Sequence, residues 1–413
     1  MKCFTNLTDN NRGGQRVLMT TPNYWLKGGV QVYIYNLCRM IDIKSLSIDI
    51  YIARSVEDED FLNSLLSLGD GHNIKLYAGN SSKFNFFCNI VNLCTLMKKN
   101  KYDVIHVHTG SLRFQALCLL LGKFFHIKMR IAHSHNAVVN LKLISKYTLM
   151  RVIKRISYRI SRIVIDLCAN NFYACSDLAG IWLFGEKTWN KKGVLQHNGI
   201  FLDDFVYDSN ARSEFRDKYK IGKDSKVIGL VAYFNKQKNQ KYLVEVFKEF
   251  QKTEQDSYLV FVGKGENRKS VEDFVANLCL KNVIFVGAST IANKFYSMFD
   301  IFVMTSIYEG LPFVAIEAQA NGCPCLLSDS ITMETNITGS VEFCSLETST
   351  DIWSSKIKTI LDENKVQKRE IVSKNNMALI RSRGYDLKMS ATMIEQKYCS
   401  AQGELGQIPG GGY

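Results

Sequence analysis

Two α/β domains, each a parallel sheet wrapped by helices, are what this sequence predicts, and three observations predict them. Short apolar runs alternate with helical patterns through the first half of the chain, and the alternation starts again after a polar crossing near residue 205. Loops rich in glycine and charge follow the apolar runs, at the strand ends where such sheets bind ligands. From Asp351 the pattern is helical only, to near Ser400. With 413 residues, the chain can build two separate cores.

Residues 1–14 read as a loose leader. Arg16–Thr21 is the first strand, followed by Lys27-Gly28-Gly29-Val30 and a helical pattern through Met40. Two glycines at a helix start let backbone N–H groups approach a phosphate. A plain tight turn fits them equally, since no G-x-G-x-x-G is present. Strands over Ser47–Ala53, Ile74–Ala78, Val104–Thr109 and Met129–His135 alternate with helices from Asp58, over Phe84–Asn100 and over Leu112–Phe125. His108 and His135 fall at strand ends, with His106 and His133 two residues earlier on the same faces. His135, where the strand opens at Asn136, is the candidate for touching a substrate, and His106 reads as structural. Phe172–Cys175 and Val194–His197 close this half.

The second half reads as strands Val227–Ala232, Tyr258–Gly263, Val283–Gly287, Ile301–Met304 and Pro324–Ser328, with helices between them. Its loops suit a nucleoside diphosphate. Lys238 stands at a strand-to-helix crossing where an ammonium can neutralise phosphate, Gly263-Lys-Gly265 permits close backbone approach, and Val286 ends a strand where a base can meet main chain. Most informative is the stretch after Met304. Glu309 and Gly310 form a loop, Pro312 starts a helix, Glu317 lies a turn or so into it, and Gly322 follows its end. Backbone N–H groups of Gly310 and Leu311 at that start favour an anion, and two flanking carboxylates accept bonds from sugar and ribose hydroxyls. A buried helix start with two paired acids is the plainer alternative.

Charge is uneven. Through residue 205 there are 26 Lys and Arg against 14 Asp and Glu, and after it 26 against 25. Lys142–Arg162 carries seven cations (Lys142, Lys146, Arg151, Lys154, Arg155, Arg159, Arg162) and no acid. Leu149, Ile153, Ile156, Ile160, Ile163 and Leu167 share one helical face, expected to pack on the sheet, with the arginines on the other. The basic side implies an anionic surface, and a membrane leaflet is favoured over nucleic acid because no exposed aromatics interleave the charges. No apolar window spans a bilayer and no secretion signal opens the chain, so a cytosolic location is expected. Twelve cysteines include no Cys-x-x-Cys. Cys38, Cys88, Cys94, Cys118, Cys168 and Cys279 sit in apolar helical patterns and read as core thiols.

Gly28-Gly29-Val30, Asp103-Val-Ile-His-Val-His108, Ala132-His-Ser-His-Asn136, Asn198-Gly-Ile200, Gln237-Lys-Asn239, Gly263-Lys-Gly265 and Glu309-x7-Glu317 through Gly322-Cys-Pro324 occur in an order that resembles family 4 of the retaining glycosyltransferases. The resemblance implies the GT-B fold, two facing Rossmann-like domains. It gives an acceptor-binding domain over 15–205, a nucleotide-sugar domain over 206–385, a C-terminal helix over 386–400 returning to the first domain, and a tail over 401–413. It implies Glu317 on the ribose, Glu309 on the transferred sugar, and Gly29, Gly310 and Leu311 on the diphosphate. Lys238 would neutralise the phosphates, and His135 or His133 would sit near the sugar, with Asn136 and His108 as further contacts. Ala232-Tyr233 stands where the family has Gly-Arg, so Tyr233 lines the donor site without a guanidinium; either Arg268, Lys264 or Lys236 substitutes for it, or donor binding is weakened. The implied chemistry needs no metal or other cofactor. It is transfer, with retention, from a nucleoside-diphosphate sugar (UDP favoured) to a lipid-linked glycan at the inner membrane face. A sugar-nucleotide epimerase and a catalytically weak membrane-binding subunit are the alternatives.

Overall fold

The computed structural model describes residues 1–4, 14–26, 29–41, 46–68, 73–79, 86–135, 148–289, 291–309, 311–364 and 368–402. They divide into two compact units, one of residues 1–199 with the segment from Leu387 on, the other Ile200–Asp386.

Unit 1 runs β1 (Lys2–Phe4), β2 (Gln15–Thr21), α1 (Gly29–Met40), β3 (Leu46–Ile52), α2 (Glu59–Leu66), β4 (Ile74–Ala78), α3 (Phe86–Lys99), β5 (Val104–His108), α4 (Leu112–Phe124) and β6 (Met129–Ser134). It continues through α5 (Thr148–Cys168), β7 (Asn171–Ala174), α6 (Asp177–Phe184), α7 (Glu186–Lys192) and β8 (Gly193–Leu195). The sheet order is β1-β4-β3-β2-β5-β6-β7-β8, with β1 antiparallel to β4 and every other pair parallel. β3, Leu-Ser-Ile-Asp-Ile-Tyr-Ile, is buried at every position, as a strand covered on both faces must be.

Unit 2 holds α8 (Ser209–Lys218), β9 (Lys226–Val231), α9 (Gln240–Thr253), β10 (Ser257–Val262), α10 (Arg268–Asn277), β11 (Val283–Gly287), α11 (Ala292–Met298) and β12 (Ile301–Met304). After these come α12 (Phe313–Ala320), β13 (Cys325–Ser328), β14 (Val341–Cys344), α13 (Thr350–Glu363) and α14 (Arg369–Ser382). Its six strands are all parallel, in the order β11-β10-β9-β12-β13-β14. The order reverses between β9 and β12, and in unit 1 between β2 and β5. The open ends of such switch points are where doubly wound sheets bind ligands. The last helix, α15 (Leu387–Cys399), belongs to unit 1, where Ala391, Ile394 and Tyr398 join the core formed by Tyr33, Ile34 and Leu37.

The structure departs from the sequence reading in several places. Lys2–Phe4, assigned to a loose leader, pairs with β4. The polar crossing Phe201–Ser225 contains α8, started by Asp208, whose carboxylate accepts from Asn210 and Ala211 N–H. Only Ala211 and Phe215 of that helix are buried apolar residues, too few to show a period. Of the cysteines read as core, Cys88 and Cys279 are exposed.

The largest departure is α5. Its apolar stripe does not pack on the sheet: Val152, Ile153, Ile156, Ile160, Ile163 and Leu167 are 44–65% exposed. Ser161, Ile165 and Cys168 are buried instead, and Ser157 accepts from Arg113 of α4. Small residues let two helices approach closely, so the narrow serine side won the contact and the wide isoleucine side was left outside. Arg155 and Arg159 are exposed beside that stripe, whereas Arg162 turns back to the Trp182 carbonyl. Lys142 and Lys146, and the side chains of Leu149 and Arg151, lie outside the described residues.

Candidate active site

Unit 2 brings its candidate residues to the switch point between β9 and β12. Phe234 to Asn239 follows β9, and Asn239 adopts a left-handed conformation (φ 52°) immediately before α9. The loop after β12 is laced to it: Ile307 N–H donates to the Gln237 carbonyl (2.8 Å), and Gln237 Nε2 to the Tyr308 carbonyl (2.9 Å). Glu309 Oε1 accepts from Lys238 Nζ at 2.5 Å and from Gln237 Nε2 at 3.0 Å, with both members of the ion pair largely buried. Lys238 and Glu309, expected on phosphate and sugar, thus hold each other across the two loops.

Glu317 lies on α12, which begins at Phe313 with Pro312 at its N-cap, one residue later than the sequence suggests. Its Oε2 accepts from Tyr296 Oη at 2.6 Å. Burial raises the Glu317 pKa to about 7, and the Tyr296 bond pulls the other way. Burial beside that carboxylate in turn pushes the Tyr296 hydroxyl well up. Tyr296 is a residue that sequence reasoning missed; it stands in the short helix α11, where no local signal marks it. Gly322 closes α12 at φ +71°, and a Cβ there would meet Ser373 N at 2.9 Å.

The glycines after β10 have a reason other than ligand approach. A Cβ on Gly263 would lie 1.9 Å from the Ala232 carbonyl oxygen, and one on Gly265 2.3 Å from that of Phe234. The neighbouring loop fills that space. Tyr233 is half exposed, its hydroxyl raised in pKa by a bond to Glu266. Of the proposed replacements for the missing guanidinium, Arg268 is held by Glu272 (2.7 Å) and lies over Phe285. Lys236 and Lys264 are exposed. Val286 and Gly287 end the edge strand β11. Leu311 is partly buried, while Gly310 lies outside the described residues.

In unit 1, a Cβ on Gly29 would meet nothing within 4 Å, so the start of α1 is open; Gly28 and Asn136 lie outside the described residues. Parallel pairing of β5 with β6 sets His108 beside His133. Four imidazoles then form one array. His135 Nε2 is 3.0 Å from His108 Nδ1 and its Nδ1 3.1 Å from Asn198 Oδ1, while His106 Nε2 is 3.1 Å from His133 Nδ1 and its Nδ1 2.6 Å from Tyr398 Oη. His106, His108 and His133 are wholly enclosed; His135 alone of the four reaches solvent, at 7% exposure. Burial first, then mutual repulsion, holds the three inner histidines well below their usual pKa, and burial lowers His135 to about 4 despite Asn198. All four are neutral at pH 7.

Residues 211–377 match the family described as "Glycosyl transferases group 1". Over 380 residues the chain is 30% identical to EpsF of Bacillus subtilis (strain 168), itself assigned as a glycosyltransferase, covering 90% of this chain and 93% of EpsF. It is 26% identical over 251 residues to the Escherichia coli UDP-Gal:alpha-D-GlcNAc-diphosphoundecaprenol alpha-1,3-galactosyltransferase, covering 58% of this chain and 61% of that one. Among solved structures, Anabaena HepE in complex with UDP superposes with a TM-score of 0.71 at 13% identity, over 94% of this chain and all of HepE. The chain belongs to the group 1 glycosyltransferases, family 4, and has their GT-B fold.

Proposed function

We propose that this glycosyltransferase moves a hexose or N-acetylhexosamine from a UDP-sugar, with retention, to a lipid-linked saccharide during synthesis of a bacterial cell-surface polysaccharide. The observation that carries the reading is the acidic pair at the switch point of unit 2, with Glu309 tied to Lys238 and Glu317 to Tyr296. An incoming diphosphate competes for Lys238 and frees Glu309 for sugar hydroxyls, while Glu317 accepts from the ribose. Gly29, Tyr233, Gly263, Val286, Gly310 and Leu311 complete the proposed donor contacts, and His135 is the proposed catalytic histidine of unit 1. The E. coli relative, whose name specifies UDP-Gal and a diphosphoundecaprenol acceptor, supports this choice of donor and acceptor. Helix N-termini and Lys238 are expected to stabilise the leaving diphosphate, as the family generally does without a metal.

Location at the inner membrane face is part of the proposal. Among the described residues no helix is long and apolar enough to cross a membrane. The exposed isoleucine stripe of α5, edged by Arg155 and Arg159, supports binding in the interfacial plane. A thermal-shift screen with UDP-, GDP- and ADP-sugars tests the donor; a ligand at 100 times its dissociation constant stabilises by about 2.7 kcal/mol. A shift with a UDP-sugar, and loss of transfer in both Glu309→Ala and Glu317→Ala, is expected. Full activity in both variants would remove the reading. The second reading, a catalytically weak membrane-binding subunit, draws on Tyr233 and on the engagement of Arg268 by Glu272. It predicts vesicle binding with no nucleotide-sugar shift.

A further inference from the structure

We propose that His106, His108 and His133 form a binding site for one divalent transition-metal ion, of the zinc class, inside unit 1. The inference is independent of the sugar-transfer reading and assigns the ion no part in that reaction. Among the described residues these three are the group whose ligand atoms meet: one ring nitrogen of each lies within 4.8 Å of those of the other two.

The hydrogen bonds of the four imidazoles leave lone pairs that a cation fits. Asn198 Oδ1 accepts, so His135 carries its proton on Nδ1 and presents a lone pair at Nε2. His108 must then donate from Nδ1, which leaves its Nε2 as a bare lone pair. That nitrogen is buried with no partner, an arrangement that costs free energy unless something electropositive approaches. His106 Nδ1 faces Tyr398 Oη; when it donates there, its Nε2 lone pair confronts His133 Nδ1 at 3.1 Å. Two imidazoles on a tetrahedral ion with bonds of about 2.0–2.1 Å hold their nitrogens about 3.3 Å apart. The pair, at 3.1 Å, is close to that spacing.

The surroundings match a metal site in two further respects. His106 and His108 each have their outer nitrogen bonded, to Tyr398 and His135, which holds the ring in place as the hydrogen-bond partners of metal-bound imidazoles do. Tyr33, whose hydroxyl is buried without a partner, packs its ring 5.3–5.7 Å from those of His133 and His108. Three neutral imidazoles leave the fourth position of a tetrahedral ion to a water molecule. The consequence is structural: the ion would join β5 to β6 and, through Tyr398, to α15.

The test uses the full chain, stripped with a chelator, dialysed and titrated with Co2+ and separately with Zn2+. One Co2+ per chain with the visible d–d absorption of a tetrahedral nitrogen site is expected, together with a Zn2+-dependent rise in melting temperature. His108→Asn should abolish both, while Tyr398→Phe should weaken binding about 10-fold through His106. Cys175→Ala should leave binding intact, which separates this site from thiol coordination. Absence of a stoichiometric Co2+ spectrum in the wild-type chain overturns the proposal whether or not a variant folds. Unchanged binding in folded His108→Asn overturns it as well.

Discussion

Glu309 and Lys238 form a largely buried pair bonded at 2.5 Å, and on the proposed function each would turn to a different part of a sugar nucleotide. Charge-assisted bonds of this kind are worth about 1.5–3 kcal/mol. Lys238→Met should therefore lower donor affinity roughly 10- to 100-fold, and Glu309→Gln should act chiefly on kcat. A double-mutant cycle on donor binding measures the coupling; strict additivity would mean the pair plays no part. Glu317 gives a pH signature. Its folded pKa of about 7 lies above the ordinary 4.5, so the folded state holds more protons than the unfolded one between those values. Stability accordingly falls as pH rises from about 4.5 through 7. Glu317→Gln should be more stable than wild type at pH 8, by on the order of 1–3 kcal/mol, and equal to it below pH 4.5. Donor binding should run the other way if, as proposed, ionised Glu317 accepts both ribose bonds: affinity should increase through pH 7 in wild type and stay flat in Glu317→Gln by calorimetry.

At the scale of elements, the proposed membrane contact rests on α5. A basic face alone gives attraction of about 1 kcal/mol per residue, lost in salt. Among the described residues, six aliphatic side chains, each worth about 1.5–3 kcal/mol on full burial, outweigh the two exposed arginines beside them. Vesicle co-sedimentation of wild type should therefore persist at high salt, and Ile156→Asp with Ile163→Asp should remove it at low salt. Arg155→Gln with Arg159→Gln should only weaken it and reduce its dependence on anionic lipid. The sequence made the periodicity of α5 visible but not its direction. Both helix faces carry residues able to pack, and only the presence of α4 shows which one did. The glycines of the Gly263 loop teach the same point. They look like a phosphate loop in sequence, yet their missing side chains are required by the Ala232 and Phe234 carbonyls. Gly265→Ala should cost stability by roughly 2 kcal/mol or more, through strain at φ +154° and that clash, whatever the ligand.

For the molecule as a whole, the path of α15 matters most. Residues nearly 200 positions beyond the end of the first domain supply Ala391, Ile394 and Tyr398 to its core. Deleting residues from 387 on should lower the melting temperature of unit 1 while leaving the unit 2 transition in place, as calorimetry would resolve. An unchanged unit 1 transition would contradict that dependence. The two parallel sheets were legible because covered strands are continuous apolar runs, and the long alternation has few other solutions. The acidic pair was legible through its spacing around Pro312. Tyr296 was not, because it reaches Glu317 from another helix.

The residues by themselves determined that the chain forms two parallel-sheet units, which strands end in candidate ligand loops, and which family it joins; these depend on local period and on motif order. Only the tertiary structure decided that Lys238 faces Glu309, that the α5 isoleucines point outward, and that four histidines form one array. Each depends on which surfaces meet across the chain, and that is set by competition among packing partners rather than by any neighbour in sequence.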